Sequence, residues 1–232
     1  MVALSSLIPT KGKAQIFADV AYHVGAEAVP VLTVDVSKTA VYFEHHTLLW
    51  KHPTVHISLR NQNGGGKRLL GGDQVYIAEA SGQGMIAFSS DGPGRVVSLH
   101  MPLGREIEVR EHQFLAATKA INYSSSYVKG ASNLLHGSQG YFIDKFHSGR
   151  GDGVLWIYAY GHIFEKVLES GESIDIEPGA WLYKETTVRM ETMADRHSVG
   201  GFRPQMNMIV NRFTGPGRVG VQSMYMHNPS EA

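Results

Sequence analysis

The chain has 232 residues, of which 43% are hydrophobic and 18% charged, proportions that suit a globular protein with a buried core. Its 21 basic and 21 acidic residues give a formal net charge of zero, so the total charge provides no attraction to nucleic acid or anionic lipid. The absence of cysteine excludes disulfides, thiol catalysis and cysteine-ligated metals.

Strand patterns dominate the chain from residue 31 onward. Alternating apolar and polar residues predict strands at 31–36, 54–59, 107–110 and 174–177, and clusters of glycine and proline separate them as turns. We therefore expect an all-β fold with few short helices.

Helical patterns are few and short. Residues 112–119 and 132–135 are the segments that we expect to form a turn or two of helix, and residues 119–140 are interpreted as a loop. Residues 192–203 show no hydrophobic period and are interpreted as an irregular excursion. The most apolar stretch, 154–164, is too short to span a bilayer as a helix, so we expect no transmembrane segment.

The sequence repeats itself at a spacing of 67 residues. Of 35 consecutive positions beginning at Ser81, seven are identical to the residue 67 positions later, whereas about two are expected from average residue usage. The identities include turn glycines, such as Gly84 with Gly151 and Gly104 with Gly171. The repeat predicts β-sandwich modules with internal pseudo-symmetry.

A third, partial copy flanks these two. Residues 41–51 parallel residues 174–184, and the turn at 215–217 repeats the glycine-x-glycine start. We interpret this as a permuted, closed arrangement, in which the C-terminal strand completes the unit that the N-terminal part begins. Because the copies abut without a linker, we expect a single β-rich body over residues 1–232. Its internal repeats are expected at approximately 31–103, 104–170 and 171–225.

The ordered set of motifs resembles the altered inheritance of mitochondria protein 24 family over nearly the whole chain. The residues that carry the resemblance are 104–115 with 123–124, 140–143 through 149–151, 171–182, and 213–219 with 222–223. The resemblance implies modules similar to the tryptophan RNA-binding attenuation protein, a β-sandwich that assembles into rings, and it implies a homo-oligomer. It brings no catalytic residues to carry over.

The resemblance also bears on location. The family is widespread in bacteria, and its fungal members are mitochondrial and linked to inner-membrane organisation. Residues 1–9 lack both the apolar core of a secretory signal and the arginines of a transit peptide. We therefore expect a bacterial cytoplasmic protein, whereas a fungal member would be mitochondrial.

Four of the twelve histidines crowd together, at His45, His46, His52 and His56. Neutral imidazoles facing one another across a hairpin bind Zn, Fe or Ni, so a cupin-like metal-dependent enzyme or small-ligand binder is one alternative function. The spacing matches no established ligand motif, and no carboxylate completes it, so surface or turn positions are favoured. We predict no cofactor and no catalytic residue.

An RNA-binding ring is the second alternative. It would need exposed aromatic side chains beside Lys or Arg, and the candidates are Tyr42, Tyr183 with Lys184, and Trp50 with Lys51. The zero net charge and the neighbouring acidic residues argue against nucleic acid as a partner.

The preferred function is a non-enzymatic, oligomeric scaffold or interaction protein with unidentified protein partners. Trp50, Phe114 and Trp181 are interpreted as one recurring repeat position, which favours a role in packing or in a module interface over a ligand site. Closed rings are common among internally repeated sandwiches, so a trimer fits this pattern, and the number of subunits stays open.

Overall fold

The computed structural model describes residues 12–26, 28–59, 68–70, 73–75, 77–128, 141–197 and 206–224. These residues form 22 β-strands and one short 3₁₀-helix, His45–Thr47, so the all-β prediction is confirmed. Among them there is no helix of the length and apolar character that crossing a membrane requires.

The strands fall into three stretches of the chain. The first stretch contains β1 (Gly12–Phe17), β2 (Val20–Gly25), β3 (Leu32–Asp35), β4 (Val41–Glu44), β5 (Leu48–Lys51), β6 (Val55–Leu59), β7 (Arg68–Leu70), β8 (Asp73–Val75), β9 (Ile77–Gly82) and β10 (Met85–Phe88). The second contains β11 (Gly94–Met101), β12 (Glu106–Arg110), β13 (Phe114–Thr118), β14 (Ile121–Val128), β15 (Tyr141–Ser148) and β16 (Gly153–Tyr160). The third contains β17 (Ile163–Leu168), β18 (Ser173–Ile176), β19 (Trp181–Glu185), β20 (Arg189–His197), β21 (Met206–Thr214) and β22 (Gly217–Gln222).

These strands form four larger sheets and one two-stranded hairpin. Sheet I has the order β1-β2-β3-β10-β5, sheet II β11-β16-β13-β4-β9-β6, sheet III β14-β15-β12-β19-β22-β17 and sheet IV β18-β21-β20, while β7 pairs with β8. Every strand pair whose register is described is antiparallel.

Contacts divide the chain into two compact units. Unit one contains sheets I and II, and unit two contains sheet IV together with β12, β19, β22 and β17 of sheet III. The single body expected from the sequence stays a prediction.

Each unit has its own hydrophobic core. In unit one, β16 lies between β11 and β13, and every residue from Gly153 to Tyr160 is buried. A strand that is covered on both faces has a continuous apolar sequence instead of an alternating one. Residues 154–160 have this continuous apolar pattern. In unit two, the core is built around Trp181, Phe213 and Val219.

The same pairing order recurs three times along the chain. Group one is β3, β4, β5, β6, β9 and β10, group two is β11–β16, and group three is β17–β22. In each group the first strand pairs with the sixth, the sixth with the third, the second with the fifth, and the fifth with the fourth. The hydrogen bonds therefore group residues 32–88, 94–160 and 163–222, and the repeat boundaries expected from the sequence stay a prediction.

The recurrence extends to the backbone geometry. Gly84, Gly151 and Gly217 precede or begin the sixth strand of their groups and have φ values of 131°, 135° and 134°. Only glycine adopts this region without strain. The three glycines thus share one backbone conformation at or before the sixth strand of their groups. One backbone hydrogen bond also recurs in each group. Its donor lies in the sixth strand or directly after it, and its acceptor is a carbonyl oxygen just before the third strand. The three bonds run from Ser89 to Thr47, from Tyr158 to Gln113 and from Gln222 to Ala180.

Several local predictions are wrong. Phe114–Thr118, expected to be helical, is the buried strand β13. Ile121–Val128, interpreted as a loop, is strand β14, and Arg189–His197 is strand β20 where an irregular excursion was expected to begin. The turn of helix expected at residues 132–135 lies outside the described residues.

The permuted closure is also wrong. The C-terminal strand β22 pairs with β17 and β19 and therefore completes group three. Group one is completed by its own strand β10, which pairs with β3 and β5.

Two of the equivalent glycines provide a test of backbone strain. A Cβ atom at Gly151 would meet no atom within 4 Å, whereas at Gly217 it would lie 2.5 Å from Thr187 Oγ1 and 2.8 Å from Val188 Cγ2. We expect Gly151→Ala to lower the free energy of unfolding by about 1–3 kcal/mol, which is the cost of the strained φ alone. Gly217→Ala should cost more, because the new methyl group also collides with its neighbours. Urea unfolding of both variants measures the difference, and equal losses would contradict this account.

Candidate functional site

Consecutive groups are joined by one strand pair at each of two junctions. At the first junction β4 pairs with β13, and at the second β12 pairs with β19. In both cases the second strand of one group lies beside the third strand of the next. Tyr42 lies opposite Ala117 at the first junction, and Glu108 lies opposite Lys184 at the second. We call these opposed residues the junction pairs.

The junction pair of the second junction is a largely buried ion pair. Lys184 Nζ lies 2.7 Å from Glu108 Oε2, and the two side chains are 6% and 13% exposed. Lys184 also donates a hydrogen bond of 2.7 Å to the carbonyl oxygen of Val188. On the other side of Glu108, Lys145 Nζ lies 3.0 Å from Oε1. Each charged group therefore has partners, which is the condition under which burial of charge is tolerated.

The electrostatics of Glu108 follow from these contacts. Burial by itself raises the pKa of the Glu108 carboxyl, but the hydrogen bonds and charges of Lys184 and Lys145 outweigh burial and hold the pKa below its ordinary value. Glu108 is thus ionised at neutral pH. An open cavity of about 440 Å³ lies beside the pair, lined also by Ile143 and by residues 186–190. Pairing with two lysines stabilises the charged form of Glu108, and a carboxylate whose pKa is lowered from its ordinary value is poorly suited to proton transfer near pH 7.

The first junction relies on shape instead of charge. Tyr42 is fully buried, and its ring centroid lies 5.5 Å from that of Phe114. The small side chain of Ala117 stands opposite Tyr42 and leaves room for the ring. The two internal junctions thus share their strand pairing and differ in the chemistry of their junction pairs.

Sheets I and IV each end at a strand whose equivalents in the other groups are paired at the junctions. Sheet I ends at β5, the third strand of group one, and sheet IV ends at β18, the second strand of group three. Within the described ranges neither strand has a neighbour on its outer edge. The third strands that do have a partner, β13 and β19, are buried almost throughout, whereas β5 alternates between half-buried and exposed residues. We call β5 and β18 the open edges.

The three aromatic residues expected at one repeat position occupy two positions. A register irregularity recurs in the third strands and makes Leu48, Phe114 and Trp181 equivalent. Trp50 therefore lies two residues further along its strand than the position expected from the sequence. Phe114 and Trp181 are 2% and 1% exposed, while Trp50 is half-buried on the open edge β5.

The four clustered histidines lie in unit one at accessible positions. His45 and His46 are exposed in the 3₁₀-helix, His56 is exposed on β6, and His52 is half-buried just after β5. The rings of His45 and His46 stand 5.8 Å apart, and His52 Nδ1 lies 2.6 Å from Thr54 Oγ1. In the part of the chain that the structure describes, no three His, Asp or Glu side chains are grouped so as to hold a metal ion.

Most of the residues proposed to contact RNA are buried. Tyr42 and Tyr183 are fully buried, and Lys184 is buried as well. A ring or ammonium inside the core is inaccessible to a base or a phosphate. Trp50 and Lys51 are the two of the five candidates that are accessible, and both lie on the open edge β5.

The ion pair between Glu108 and Lys184 was not predicted from the sequence. The repeat contains its signal, because Glu108 aligns with Asp175 and Lys51 aligns with Lys184. An acidic residue on a second strand and a basic residue on a third strand thus each occur in two groups. The meaning of this pattern emerges only when the register shows that second and third strands of successive groups lie side by side.

Comparisons with known proteins relate the chain to a family and to a solved fold. A family model described as "Mitochondrial biogenesis AIM24" matches residues 22–224. The crystal structure of protein SPYM3_0169 from Streptococcus pyogenes has a TM-score of 0.65 and 19% sequence identity, and the match covers 89% of this chain and 94% of that chain. At this identity the likeness concerns the fold. No curated protein matches the sequence.

Proposed function

Because the chain belongs to the Mitochondrial biogenesis AIM24 family, we propose that it is a non-enzymatic, homo-oligomeric β-scaffold built from repeated sandwich modules. Such a protein works by assembling copies of itself and presenting a surface to other proteins. The observation that carries the proposal is the pair of open edges, β5 and β18. They are the third and second strands of their groups, the two roles that pair with each other at both internal junctions.

The side chains of β5 support self-association. An open edge is a template for pairing with another chain, and proteins usually blunt it with charges, proline or a covering segment. Here Leu49 is 54% exposed and Trp50 is only half-buried. A large apolar side chain on an unpaired edge is typical of a surface that a partner covers.

The mass of the protein in solution tests this proposal. We expect light scattering coupled to size-exclusion chromatography to give a multiple of the monomer mass, with a trimer as the arrangement favoured by the repeat. A strict monomer at every concentration would overturn the proposal. Affinity purification from native cells then identifies the proteins that the scaffold holds. A location in the bacterial cytoplasm stays a prediction.

A further inference from the structure

We infer that Lys51 on β5 of one copy and Asp175 on β18 of the next copy form the junction pair by which copies of this chain recognise each other. The inference rests on the proposed self-association and names its partner surface, its register and its charged contact. It treats the contact between copies as a third junction that reproduces the second internal junction.

The register follows from the equivalence of strands. At the second junction Glu108 on β12 lies opposite Lys184 on β19. Asp175 occupies the position of Glu108, because Asp175 lies opposite Arg212 on β21 and is bound by it, as Glu108 is bound by Lys145 on β15. The second strand of group three therefore has an acidic residue, Asp175, at the position that Glu108 occupies in the second strand of group two.

The basic partner is located in the same way. Lys51 stands three residues after Leu48, and Lys184 stands three residues after Trp181, with the same register irregularity between them. Lys51 is therefore the equivalent of Lys184. When β18 of one copy extends β5 of another in the junction register, Lys51 lies directly opposite Asp175.

Charge complementarity supports β18 of a second copy as the strand that pairs with β5. Arg212 holds Asp175 through two hydrogen bonds of 2.7 Å from the β21 side, and Asp175 is still 38% exposed. Lys51 is exposed on β5. Glu108 shows that a carboxylate at this position accommodates two cations at once, one from each neighbouring strand. Opposite charges directly across an antiparallel pair stabilise it, and like charges destabilise it.

The neighbouring positions of the same register add apolar contact. At the second junction Val109 lies opposite Tyr183. The equivalent residues in the contact between copies are Ile176 and Trp50. Trp50 is half-buried before association, and a partner strand would complete its burial, as aromatic and β-branched residues pair well across strands.

Charge reversal tests the junction pair. Lys51→Glu changes the net charge from zero to −2, Asp175→Lys changes it to +2, and the double variant returns it to zero. We expect each single variant to self-associate about 10- to 100-fold more weakly, because like charges then face each other, and the double variant to recover most of the loss. Arg95→Glu is the matched control, since it changes the charge by the same amount as Lys51→Glu at an exposed position on β11, and its association should equal that of the wild type.

Cysteine cross-linking provides a readout that does not depend on weakening the protein. The natural chain has no cysteine, so the pair Lys51→Cys with Asp175→Cys introduces the only thiols. Opposed Cα atoms in an antiparallel pair lie about 4.5–5.5 Å apart, within the range of about 4.4–6.8 Å that a disulfide spans. The pair Leu49→Cys with Asp175→Cys is the register control, because a shift by two residues puts the Cα atoms beyond easy reach.

The outcomes separate this inference from the proposal on which it rests. Disulfide-linked multimers from the 51/175 pair, with few from the 49/175 pair, support the inference. If the wild type is oligomeric but the 51/175 pair fails to link separate copies, or links within one chain, the inference is overturned and the scaffold proposal stands. Charge reversal at Lys51 without effect on an oligomeric protein that keeps its circular dichroism spectrum also overturns the inference. A monomeric wild type overturns both.

Discussion

Trp181→Ala is expected to lower the free energy of unfolding by about 3–5 kcal/mol, as removal of a fully buried tryptophan typically does. Trp181 is 1% exposed and packs in the core of unit two with Leu168 and Val219, with its ring centroid 5.9 Å from that of Phe213. Domains are stable by only about 5–15 kcal/mol, so the loss removes a large fraction of the stability of unit two and should dissociate an oligomer that depends on it.

Thermal and urea unfolding measure this loss. Trp181→Phe should retain much of the stability, because the equivalent position of group two is already a phenylalanine, Phe114. Phe164→Ala is the control, since Phe164 is an aromatic residue of the same unit but is 60% exposed on β17. We expect Phe164→Ala to change stability by less than about 0.5 kcal/mol. An unchanged melting temperature and mass for Trp181→Ala would contradict the packing role.

Some turns could be recognised from the sequence because they depend on local backbone geometry. A glycine with φ near 130° cannot be replaced cheaply, so Gly84 and Gly151 align wherever the same turn recurs. Phe114 and Trp181 align for a related reason, since each is a buried aromatic residue at the start of the third strand of its group. Such constraints act within a few residues and leave a direct trace in the sequence.

The strand β13 was mistaken for helix because its environment removes the usual signal. Phe114–Thr118 is buried at every position, so the chain shows no alternation, and its alanines favour a helix by propensity. Those alanines are small because Tyr42 and Phe43 stand opposite them at the first junction. The reason for the composition thus lies about 70 residues away in the chain and could not be recognised locally.

Two outer strands were missed for the opposite reason. Among the strands that the structure describes, β14 and β20 are the last strands of sheets III and IV, and each pairs with one neighbour. A strand at the end of a sheet packs against fewer residues than a central strand, so its sequence, such as Ser124 to Ser126 in β14, need not carry an apolar stripe. An edge strand is therefore easily assigned to a loop when hydrophobic periodicity is the only criterion.

The candidate interaction site required the register as well as the sequence. The alignment of Lys51 with Lys184 was visible, yet its partner strand could not be known, because pairing between successive groups is a tertiary feature. The alignment of residues 41–51 with residues 174–184 already pairs Trp50 with Tyr183, so the assignment of Trp50 to the position of Trp181 was wrong by two residues, in agreement with the register. Once the internal junctions are described, the open edges identify where a further copy fits.

Glu108→Gln is expected to lower the free energy of unfolding by about 3–5 kcal/mol at neutral pH, because it leaves the buried ammonium of Lys184 without its counter-charge. The matched control is Glu172→Gln, which removes a carboxylate from a more exposed ion pair with Lys166 and should have a much smaller effect. Urea unfolding at pH 7 compares the two variants, and equal losses would show that burial of the Glu108–Lys184 pair is irrelevant to stability.

The pH dependence of the same variant gives the sign of the electrostatic contribution. Despite burial, Lys184 and Lys145 lower the pKa of Glu108 in the folded protein from its ordinary value of 4.5. The unfolded chain therefore takes up the proton first as the pH falls, and the stabilisation is present in full above pH 4.5 and is lost as the pH falls through the lowered pKa. The stability gap between the wild type and Glu108→Gln should stay constant from pH 8 to about pH 5 and narrow below it. A gap that instead widens toward acid pH would mean that Glu108 is held in its protonated form and that Lys184 does not stabilise it as an anion.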